Sequence, residues 1–456
     1  MRSFDVVVIG AGPAGEVAAG RLGERGLSVA IVEDRLVGGE CSFWACMPSK
    51  ALLRPYEALS EALRIPGAAE AATGTLDVQS VLRRRDEVIH DLDDSSQLPW
   101  LEDRDITLLR GAGTLSGERR VRVGDEEIEV DRAVILATGS LPTMPPIEGL
   151  GGIDDAWTNR EATTAKAIPE RLVIMGGGVV GVEMAQAFQT LGSQVTLIEG
   201  ERRLLPREEE YACEQVTEAL AGYGVDIRTG QRATRVEERD GTVTVATADG
   251  GTAEGDSLLV ALGRTPQTAG LGLEAVGLPD DKPVHVDAHM RVPGVDWLYA
   301  IGDVNGRALF THMGKYQGRI AADHIHGLDV AFSHGADGTL SPRVIFTEPQ
   351  VAAVGHTSDT AAAAGLVVDV VETSTSGNAG GSFYGRGAPG TARLLIDRER
   401  RVVVGATITG AEVGEMLHAA TIAIVGEIPL ERLRHAVPCF PTRSEIWLSL
   451  LADAGV

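Results

Sequence analysis

Two stretches of the chain share one order of apolar and polar positions. Residues 4–34, FDVVVIGAGPAGEVAAGRLGERGLSVAIVED, begin with an apolar run, pass through glycines into an alanine-rich segment, and end in a second apolar run closed by acids. Residues 171–200, RLVIMGGGVVGVEMAQAFQTLGSQVTLIEG, repeat that order. Short apolar runs bounded by glycine are typical of buried parallel strands. Each stretch therefore predicts a strand, a helix and a second strand, which is the order of a nucleotide-binding unit.

Three further apolar runs end in small residues and turns, and they predict strands that open into loops: VILATGS (134–140), LLVALGRTPQT (258–268) and WLYAIGDVNG (297–306). The last of them releases Gly302 and Asp303. A carboxylate just past the carboxyl end of a strand lies where ligands of open α/β sheets bind. We therefore expect Asp303 to contact a ligand.

Composition shifts predict the domain boundaries. The proline-rich LPTMPPIEG (141–149) reads as a linker, and GLDVAFSHGADG (327–338) reads as a second boundary. Beyond it, ARLLIDRERRVVVGATITG predicts a strand pair and GEMLHAATIAIVG predicts a helix. The predicted fold class is α/β, with two Rossmann-like dinucleotide-binding domains and a C-terminal α+β domain.

The first unit contains the spacing G-x-G-x-x-G at Gly10, Gly12 and Gly15, with Glu33 about twenty residues on. The first glycine permits a tight turn, the second lets a pyrophosphate approach the helix N-terminus, and the third lets helix and strand pack closely. Glu33 can bind a ribose hydroxyl. A single fingerprint of this kind is weak, so the second unit matters.

The second unit repeats the spacing at Gly176, Gly178 and Gly181, and Glu199 ends its second strand. Two complete fingerprints predict two dinucleotides rather than one. A carboxylate at Glu199 would bind the adenosine ribose and repel a 2′-phosphate, which favours NADH. Arg202 and Arg203 follow closely, so NADPH stays open as the alternative.

Length and charge limit the function classes. At 456 residues the chain is too long for one core, and its net charge of -24 at pH 7 argues against a nucleic-acid partner. Nothing approaches the roughly 18 uninterrupted apolar residues of a membrane span. Only four cysteines are present, which is too few for a secreted disulfide framework of this size. We expect a soluble cytoplasmic protein without a membrane partner.

Two of the four cysteines stand five positions apart in GGECSFWACMPSK (38–50). On a regular helix Cys41 and Cys46 would rise about 7.5 Å and turn about 140° apart, too far for a disulfide. One of them must therefore lie on a distorted first turn or its approach loop, and Pro48 fits a first turn. A helix N-terminus would favour a thiolate. Spacing and setting favour redox chemistry over inert thiols or half a metal site, and we predict no metal site.

The motifs along the whole chain resemble those of the flavoprotein disulfide reductases, and among these most of all dihydrolipoamide dehydrogenase and its relatives. The resemblance rests on GGECSFWACMPSK, both glycine fingerprints, ATGS, GRTP, AIGD, FTEPQVAAVG (346–355) and FPTRSE (440–445), in that order. It implies FAD on the first unit, NAD(P)H on the second, and a C-terminal domain that forms a homodimer whose active site uses both subunits. The corresponding predicted ranges are 1–150 with 266–335 for FAD, 151–265 for the nicotinamide nucleotide, and 336–456 for dimerisation.

The resemblance also implies residue roles. Cys46 matches the cysteine that contacts the flavin, Cys41 the one that exchanges with substrate, and Asp303 the ribitol-binding aspartate. Other positions that match cofactor-binding motifs are Gly39, Thr138, Gly139 and Gly302 for FAD and Gly263 for the nicotinamide nucleotide.

Lys50 is one of only four lysines among 41 basic residues. Because arginine is the usual cation of this chain, a lysine here suggests that the position requires a compact point charge. In the family the corresponding lysine lies near flavin N5 and pairs with a glutamate, a position that Glu183 occupies here. Such a pair would stabilise the reduced flavin and tie the two nucleotide domains together. The alternative is a surface lysine and a helix glutamate that both contact solvent.

The C-terminal motif departs from the family. Relatives place a catalytic histidine before Pro-Thr, oriented by a glutamate five residues later; here HAVPCFPTRSEIW has Phe440 at the histidine position, although Glu445 is present. A general base supplies about 10²- to 10⁴-fold in rate. We therefore expect inefficient dihydrolipoamide oxidation. His435 is a substitute in principle, and a surface or packing role is the simpler reading.

The thiol loop departs as well, because the family usually has asparagine and glycine where Phe43 and Ala45 stand, and Trp44 adds a further bulky ring. These aromatic rings either narrow the pocket, offer a stacking face to a flat acceptor, or simply pack. Cys439 either relays electrons or binds a soft metal ion beside the partner's Cys41, or is an inert buried thiol. Cys213, on a predicted helix, reads as packing.

Three functional hypotheses follow. The first is an FAD-dependent NAD(P)H oxidoreductase that passes electrons through Cys41 and Cys46 to a small-molecule or protein disulfide, a metal ion, a quinone or a similar acceptor. The second reduces a quinone or metal ion directly from the flavin. The third is a weakly catalytic redox sensor or subunit, against which two complete nucleotide fingerprints argue.

Overall fold

The computed structural model describes residues 2–333, 337–385 and 387–456 of the chain. The strands are β1 (Arg2–Ile9), β2 (Val29–Glu33), β3 (Ile106–Arg110), β4 (Gly113–Gly117), β5 (Arg120–Val123), β6 (Glu126–Leu136), β7 (Ser140–Pro142), β8 (Arg171–Met175), β9 (Gln194–Ile198), β10 (Asp226–Arg228), β11 (Ala233–Arg239), β12 (Thr242–Thr247), β13 (Thr252–Gly255), β14 (Ser257–Val260), β15 (Arg264–Pro266), β16 (Leu298–Ala300), β17 (Arg343–Ile345), β18 (Gln350–Gly355), β19 (Val368–Ser374), β20 (Thr391–Asp397) and β21 (Val402–Gly410).

The α-helices are α1 (Pro13–Gly23), α2 (Gly39–Phe43), α3 (Cys46–Arg64), α4 (Val78–Val88), α5 (Leu98–Glu102), α6 (Asn159–Thr164), α7 (Val179–Thr190), α8 (Glu210–Gly222), α9 (Thr311–Ile325), α10 (Ser358–Ala363), α11 (Ala379–Ser382), α12 (Val413–Val425), α13 (Leu430–Leu433) and α14 (Ile446–Asp453). The described residues form two compact units. Unit 1 takes its residues from 1–48, 86–142 and 264–334, and unit 2 from 49–85, 143–263 and 335–456.

Unit 1 is built on a mixed sheet with the strand order β3-β2-β1-β6-β5-β4, and β16 pairs with β6. The strands β1, β2, β3, β6 and β16 run parallel, whereas β4 and β5 continue the sheet antiparallel. The central strands β1 and β2 contain the apolar runs VVVI and VAIV because apolar residues cover both faces of the sheet. Close packing of α9 on α1 depends on glycine, since a Cβ at Gly318 would lie 2.7 Å from the Ala14 carbonyl oxygen.

Unit 2 contains three sheets. A parallel sheet has the order β10-β9-β8-β14, an antiparallel sheet has the order β11-β12-β13, and an antiparallel five-stranded sheet has the order β17-β18-β21-β20-β19. The five-stranded sheet packs its apolar face against α12 and α14. The predicted strand pair in 392–410 corresponds to β20 and β21, which pair antiparallel, and the predicted helix after them corresponds to α12.

The predicted fold class is confirmed: two parallel-sheet nucleotide-binding units and a C-terminal α+β region are present. The three predicted domain ranges stay a prediction, and the boundary placed between residues 335 and 336 lies outside the described residues. In the part of the chain that the structure describes, no helix combines the length and the apolar character needed to cross a membrane.

Candidate active site

The cysteine pair lies at a break between two helices of the chain. Cys41 belongs to the five-residue α2, Trp44 leaves the helical region at φ -136° and ψ 1°, and Cys46 begins α3. The two side chains form a hydrogen bond with each other. The expected distortion is therefore confirmed, and Pro48 stands in the first turn of α3, where its missing N–H costs no helix hydrogen bond.

Both sulfur atoms contact Thr311, the first residue of α9. Its hydroxyl oxygen lies 3.3 Å from Cys46 Sγ, and it also forms a hydrogen bond with Cys41. The pKa of Cys41 is raised, first by the hydrogen bond with Cys46 and then by burial, while Thr311 and the charge of Lys315 oppose the rise. The expectation that the setting favours a thiolate is thus wrong for Cys41 in the dithiol state. The N-terminus of α3 lies at Cys46, whereas the hydrogen bond with Cys46 and burial favour the thiol at Cys41.

The aromatic residues beside the thiols pack against each other. The rings of Phe43 and Trp44 have centroids 5.8 Å apart, and Phe43 is buried. For Phe43 the packing interpretation is confirmed.

Lys50 and Glu183 meet within unit 2. Lys50 Nζ donates to Glu183 Oε2 at 2.8 Å, and the other carboxylate oxygen accepts from the Phe346 backbone N–H at 2.9 Å. The ammonium also lies 4.6 Å from the centroid of the Phe346 ring. Glu183 is only 4% exposed, so the alternative of two solvent-facing side chains is wrong. The pair's role toward the cofactor stays a prediction.

The first glycine fingerprint forms a turn that only glycine fits. Gly10 has φ +107°, and a Cβ there would overlap with the Ala137 carbonyl, while one at Gly15 would overlap with the carbonyl of Gly10. Gly12 precedes α1; a Cβ there would meet no described atom within 4 Å. Glu33 accepts from the Ala11 N–H at 2.8 Å. Burial raises the pKa of Glu33, and this backbone hydrogen bond opposes the rise.

The remaining positions predicted for FAD lie on neighbouring loops of unit 1. Gly39 begins α2, and a Cβ there would lie 2.8 Å from Gly12 Cα. Thr138 Oγ1 donates to the Gln267 carbonyl at 2.8 Å, and Gly139 and Gly302 have φ +75° and +72°. Asp303 follows β16, and its carboxylate accepts from the Ser140 hydroxyl at 2.6 Å.

The second fingerprint repeats the first. Gly176 again has φ +107°, Gly178 precedes α7, and a Cβ at Gly181 would overlap with the Gly176 carbonyl. Glu199 accepts from the Gly177 N–H at 2.5 Å and from the Glu201 N–H at 2.7 Å. Gly263, just after β14, has φ +104°.

Both units fit a dinucleotide. The helices α1 and α7 begin at Gly12 and Gly178, and no described side chain caps either N-terminus, so their first N–H groups are available to a pyrophosphate. Glu33 is the last residue of β2, and Glu199 directly follows β9. The residues present therefore fit FAD at unit 1 and a nicotinamide nucleotide at unit 2. Among the described residues, no three His, Cys, Asp or Glu side chains form a group that could hold a metal ion.

The C-terminal motif is solvent-facing in this chain. Phe440 is 77% exposed and Cys439 is exposed in the single chain, and both alternatives for Cys439 in a dimer stay predictions. His435 is a surface residue, as expected. Glu445 carries one buried carboxylate oxygen that finds no hydrogen-bond partner among the described residues. The role predicted for Glu445 stays a prediction.

The fourth cysteine has the packing role expected of it. Cys213 on α8 is 1% exposed, and its Sγ donates to the Leu205 carbonyl.

Sequence reasoning missed three contacts of the site. They are the hydroxyl of Thr311 on the thiol pair, and Ser140 and Arg264 beside Asp303. The last two belong to the ATGS and GRTP motifs, which marked strand ends without indicating that they contact each other.

Comparisons with known proteins cover nearly the whole chain. Residues 4–322 match the family described as pyridine nucleotide-disulphide oxidoreductase, and residues 341–450 match the dimerisation domain of that family. Dihydrolipoyl dehydrogenase of Thermus scotoductus is 34% identical over 455 residues, which cover 98% of this chain and 96% of the relative. The same enzyme of Bacillus subtilis is 31% identical over 469 residues, covering 99% of each.

Solved structures agree in fold. The Cu(II) complex of HOCl-induced flavoprotein disulfide reductase RclA from Escherichia coli superposes with a TM-score of 0.87 at 26% identity, covering 99% of this chain and 100% of that one. LpdA from Mycobacterium tuberculosis superposes with a TM-score of 0.86 at 25% identity and covers 100% of both chains.

Proposed function

Because the chain belongs to the pyridine nucleotide-disulphide oxidoreductase family, we propose that it passes electrons from NADH through FAD to the Cys41–Cys46 pair and on to an external acceptor. It is an FAD-dependent enzyme of the pyridine nucleotide-disulfide oxidoreductase class. The acceptor and the direction of the reaction are part of this proposal. A single observation carries it: the two thiols contact each other at a helix break, beside Thr311.

The residues that would hold the cofactors follow from the two fingerprints. Gly12 and Asp303 would bind the pyrophosphate and ribitol of FAD, and Gly178 and Glu199 would bind the nicotinamide nucleotide. Bound FAD would accept a hydride from NADH and pass the electron pair on to the Cys41–Cys46 disulfide. The carboxylate at Glu199 supports NADH over NADPH, because it would repel a 2′-phosphate.

The thiol pair would then work by exchange. The Cys41 thiolate attacks a sulfur of an acceptor disulfide, so that a mixed disulfide forms and one acceptor thiolate leaves. Cys46 attacks the Cys41 sulfur, which re-forms the internal disulfide and releases the second acceptor thiol. The sum is NADH, H⁺ and one disulfide converted to NAD⁺ and two thiols. The Thr311 hydroxyl would donate to whichever sulfur carries the negative charge.

Phe440 narrows the choice of acceptor. Its ring cannot move a proton, so we propose an acceptor that needs little proton transfer from the protein: an activated disulfide, a quinone or a soft metal ion. The Cu(II) complex of the structurally similar RclA supports a metal ion as a candidate. In that case one NADH would reduce two Cu(II) to two Cu(I), releasing NAD⁺ and H⁺. Efficient dihydrolipoamide oxidation is not expected.

We also propose a homodimer formed through the C-terminal region, because residues 341–450 match a dimerisation domain. Apolar side chains on α12 support this surface: Ile422 and Val425 are exposed in the single chain although α12 packs its opposite face on the five-stranded sheet. The cytoplasmic location stays a prediction.

An acceptor panel tests the proposal. NADH oxidation by the FAD-loaded protein is measured anaerobically with 5,5′-dithiobis(2-nitrobenzoate), Cu(II), menadione and, in reverse, dihydrolipoamide with NAD⁺. The comparison uses Cys41→Ser, with Cys213→Ala as the matched control for loss of a thiol outside the site. We expect turnover of the first two acceptors to fall at least 100-fold in Cys41→Ser only. Full turnover in Cys41→Ser would instead support the direct route from the flavin and refute the thiol route.

A further inference from the structure

The carboxylate of Asp303 depends on a neighbour that is itself held in place. Asp303 Oδ2 accepts from the hydroxyl of Ser140 at 2.6 Å. Ser140 begins β7, is only 4% exposed, and is tied to the strand opposite. Because Ser140 is buried, its hydroxyl has few alternative directions, and the orientation of Asp303 follows from the orientation of Ser140.

Arg264, at the start of β15, fixes Ser140 through two hydrogen bonds. Its Nε donates to the Ser140 hydroxyl oxygen at 2.8 Å, and its Nη2 donates to the Ser140 carbonyl at 2.7 Å. The Ser140 oxygen accepts from Nε, and its hydrogen is donated to the Asp303 carboxylate, which can only accept. The planar guanidinium therefore sets both the position and the donor direction of Ser140, which a flexible ammonium could not do.

This support matters because Asp303 is placed where a charge is costly. Burial raises the pKa of Asp303, whereas the hydrogen bond from Ser140 and the charge of Arg264 oppose the rise. A carboxylate that accepts hydrogen bonds from ribitol hydroxyls must keep both oxygens as acceptors. Ser140 and Arg264 both favour this ionised, acceptor-only form of Asp303.

The same guanidinium reaches the thiol helix. Arg264 Nη2 lies 3.6 Å from Glu40 Oε2, and Glu40 directly precedes Cys41 on α2. The helix α2 has five residues and no described side chain caps its N-terminus, so it gains little order from its own hydrogen bonds. The ion pair therefore links α2, which carries Cys41, to the start of β15.

We propose that Arg264 is a positioning residue that serves both halves of the site: through Ser140 it orients Asp303 toward FAD, and through Glu40 it holds the helix of Cys41 in place for disulfide formation. This inference rests on the proposed function for the roles of Asp303 and the thiol pair. Its tests need no external acceptor, so that an enzyme inactive with every acceptor can still confirm or refute it.

The first half is tested by FAD affinity. The dissociation constant of FAD is measured from the fluorescence of flavin released on dilution of the FAD-loaded protein. We expect it to rise about tenfold in Arg264→Gln and in Ser140→Ala, with Arg264→Lys in between, because a charged hydrogen-bond network is lost or weakened. Arg132→Gln is the matched control, since Arg132 forms an exposed ion pair with Asp5 in the same unit. Ser140→Ala carries this test if Arg264→Gln does not fold.

The second half is tested by thiol–disulfide exchange with dithiothreitol. In Glu40→Gln we expect the equilibrium to shift at least threefold toward the dithiol, about 14 mV for a two-electron couple, with FAD affinity unchanged. If Glu40 had a purely structural role, Glu40→Gln would change FAD affinity and the exchange equilibrium together. FAD affinities within twofold of wild type in both Arg264→Gln and Ser140→Ala, or an unchanged exchange equilibrium in Glu40→Gln, would overturn the proposal.

Discussion

Removing the charge of Lys50 should destabilise the FAD-loaded protein more than removing the charge of Glu183. The side chain of Glu183 is 4% exposed, whereas that of Lys50 is 34% exposed. In Lys50→Met the carboxylate of Glu183 would stay buried and would keep the hydrogen bond from the Phe346 N–H but lose its ion pair. An uncompensated buried charge of this kind costs about 3 kcal/mol.

In Glu183→Gln the ammonium of Lys50 can turn to water, and the amide oxygen can still accept from Phe346. The cost should be about 1.5 kcal/mol, the loss of one charged hydrogen bond. In the double variant neither charge is left buried, so the cost should fall about 2 kcal/mol below the sum of the single variants. Arg54→Met is the matched control on the same helix: the Arg54 side chain is 55% exposed, and Glu57 keeps a hydrogen bond from Gln350 Nε2, so about 0.5 kcal/mol or less should be lost.

The assay is urea unfolding followed by circular dichroism, with all variants loaded with FAD. Equal costs for the two single variants, or a coupling below about 0.5 kcal/mol, would refute the assignment of Glu183 as a buried partner of Lys50.

Three further predictions follow from single residues. Phe440→His should raise dihydrolipoamide oxidation at least tenfold, since a general base supplies about 10²- to 10⁴-fold; Phe440→Ala is the control, and no gain would show that the missing base is not what limits the reaction. Glu199→Ser should raise the ratio of kcat/KM for NADPH to that for NADH at least tenfold, and an unchanged ratio would contradict its selective role. Burial raises the pKa of Glu16 from 4.5 to about 7. The folded state therefore binds the Glu16 proton more tightly than the unfolded state does. The resulting stabilisation is fully present below pH 4.5 and is lost as the pH rises through 7. Relative to Glu16→Gln, the apoprotein should lose up to about 3 kcal/mol of unfolding free energy between pH 4.5 and 8, and parallel pH curves would contradict this.

Features that depend on local chemistry could be predicted from the sequence. The spacing of glycines predicted both nucleotide turns. Gly10 and Gly176 both have a φ of +107°, and a Cβ at either position would overlap with a backbone carbonyl. The helix break at the thiols could likewise be predicted, because regular helix geometry cannot bring Cys41 and Cys46 together and because proline, as at Pro48, is favoured in a first turn.

Contacts that depend on tertiary packing could not be predicted. Thr311 meets Cys46 across 265 positions of sequence, and its hydroxyl has no local signature. The raised pKa of Cys41 depends on the same packing, since its hydrogen bond with Cys46 and its burial outweigh the favourable groups nearby. Ser140 and Arg264 stand in motifs that were visible, yet their contact depends on the pairing of β7 with β15.

The central claim is that the Cys41–Cys46 pair exchanges electrons with bound FAD. Anaerobic titration of the FAD-loaded protein with NADH tests it most directly, with the flavin spectrum as the readout. We predict uptake of two electron pairs per FAD in the wild type, a long-wavelength thiolate-to-flavin absorption after the first, and uptake of one pair in Cys41→Ser. Complete bleaching of the wild-type flavin after a single pair would contradict the account.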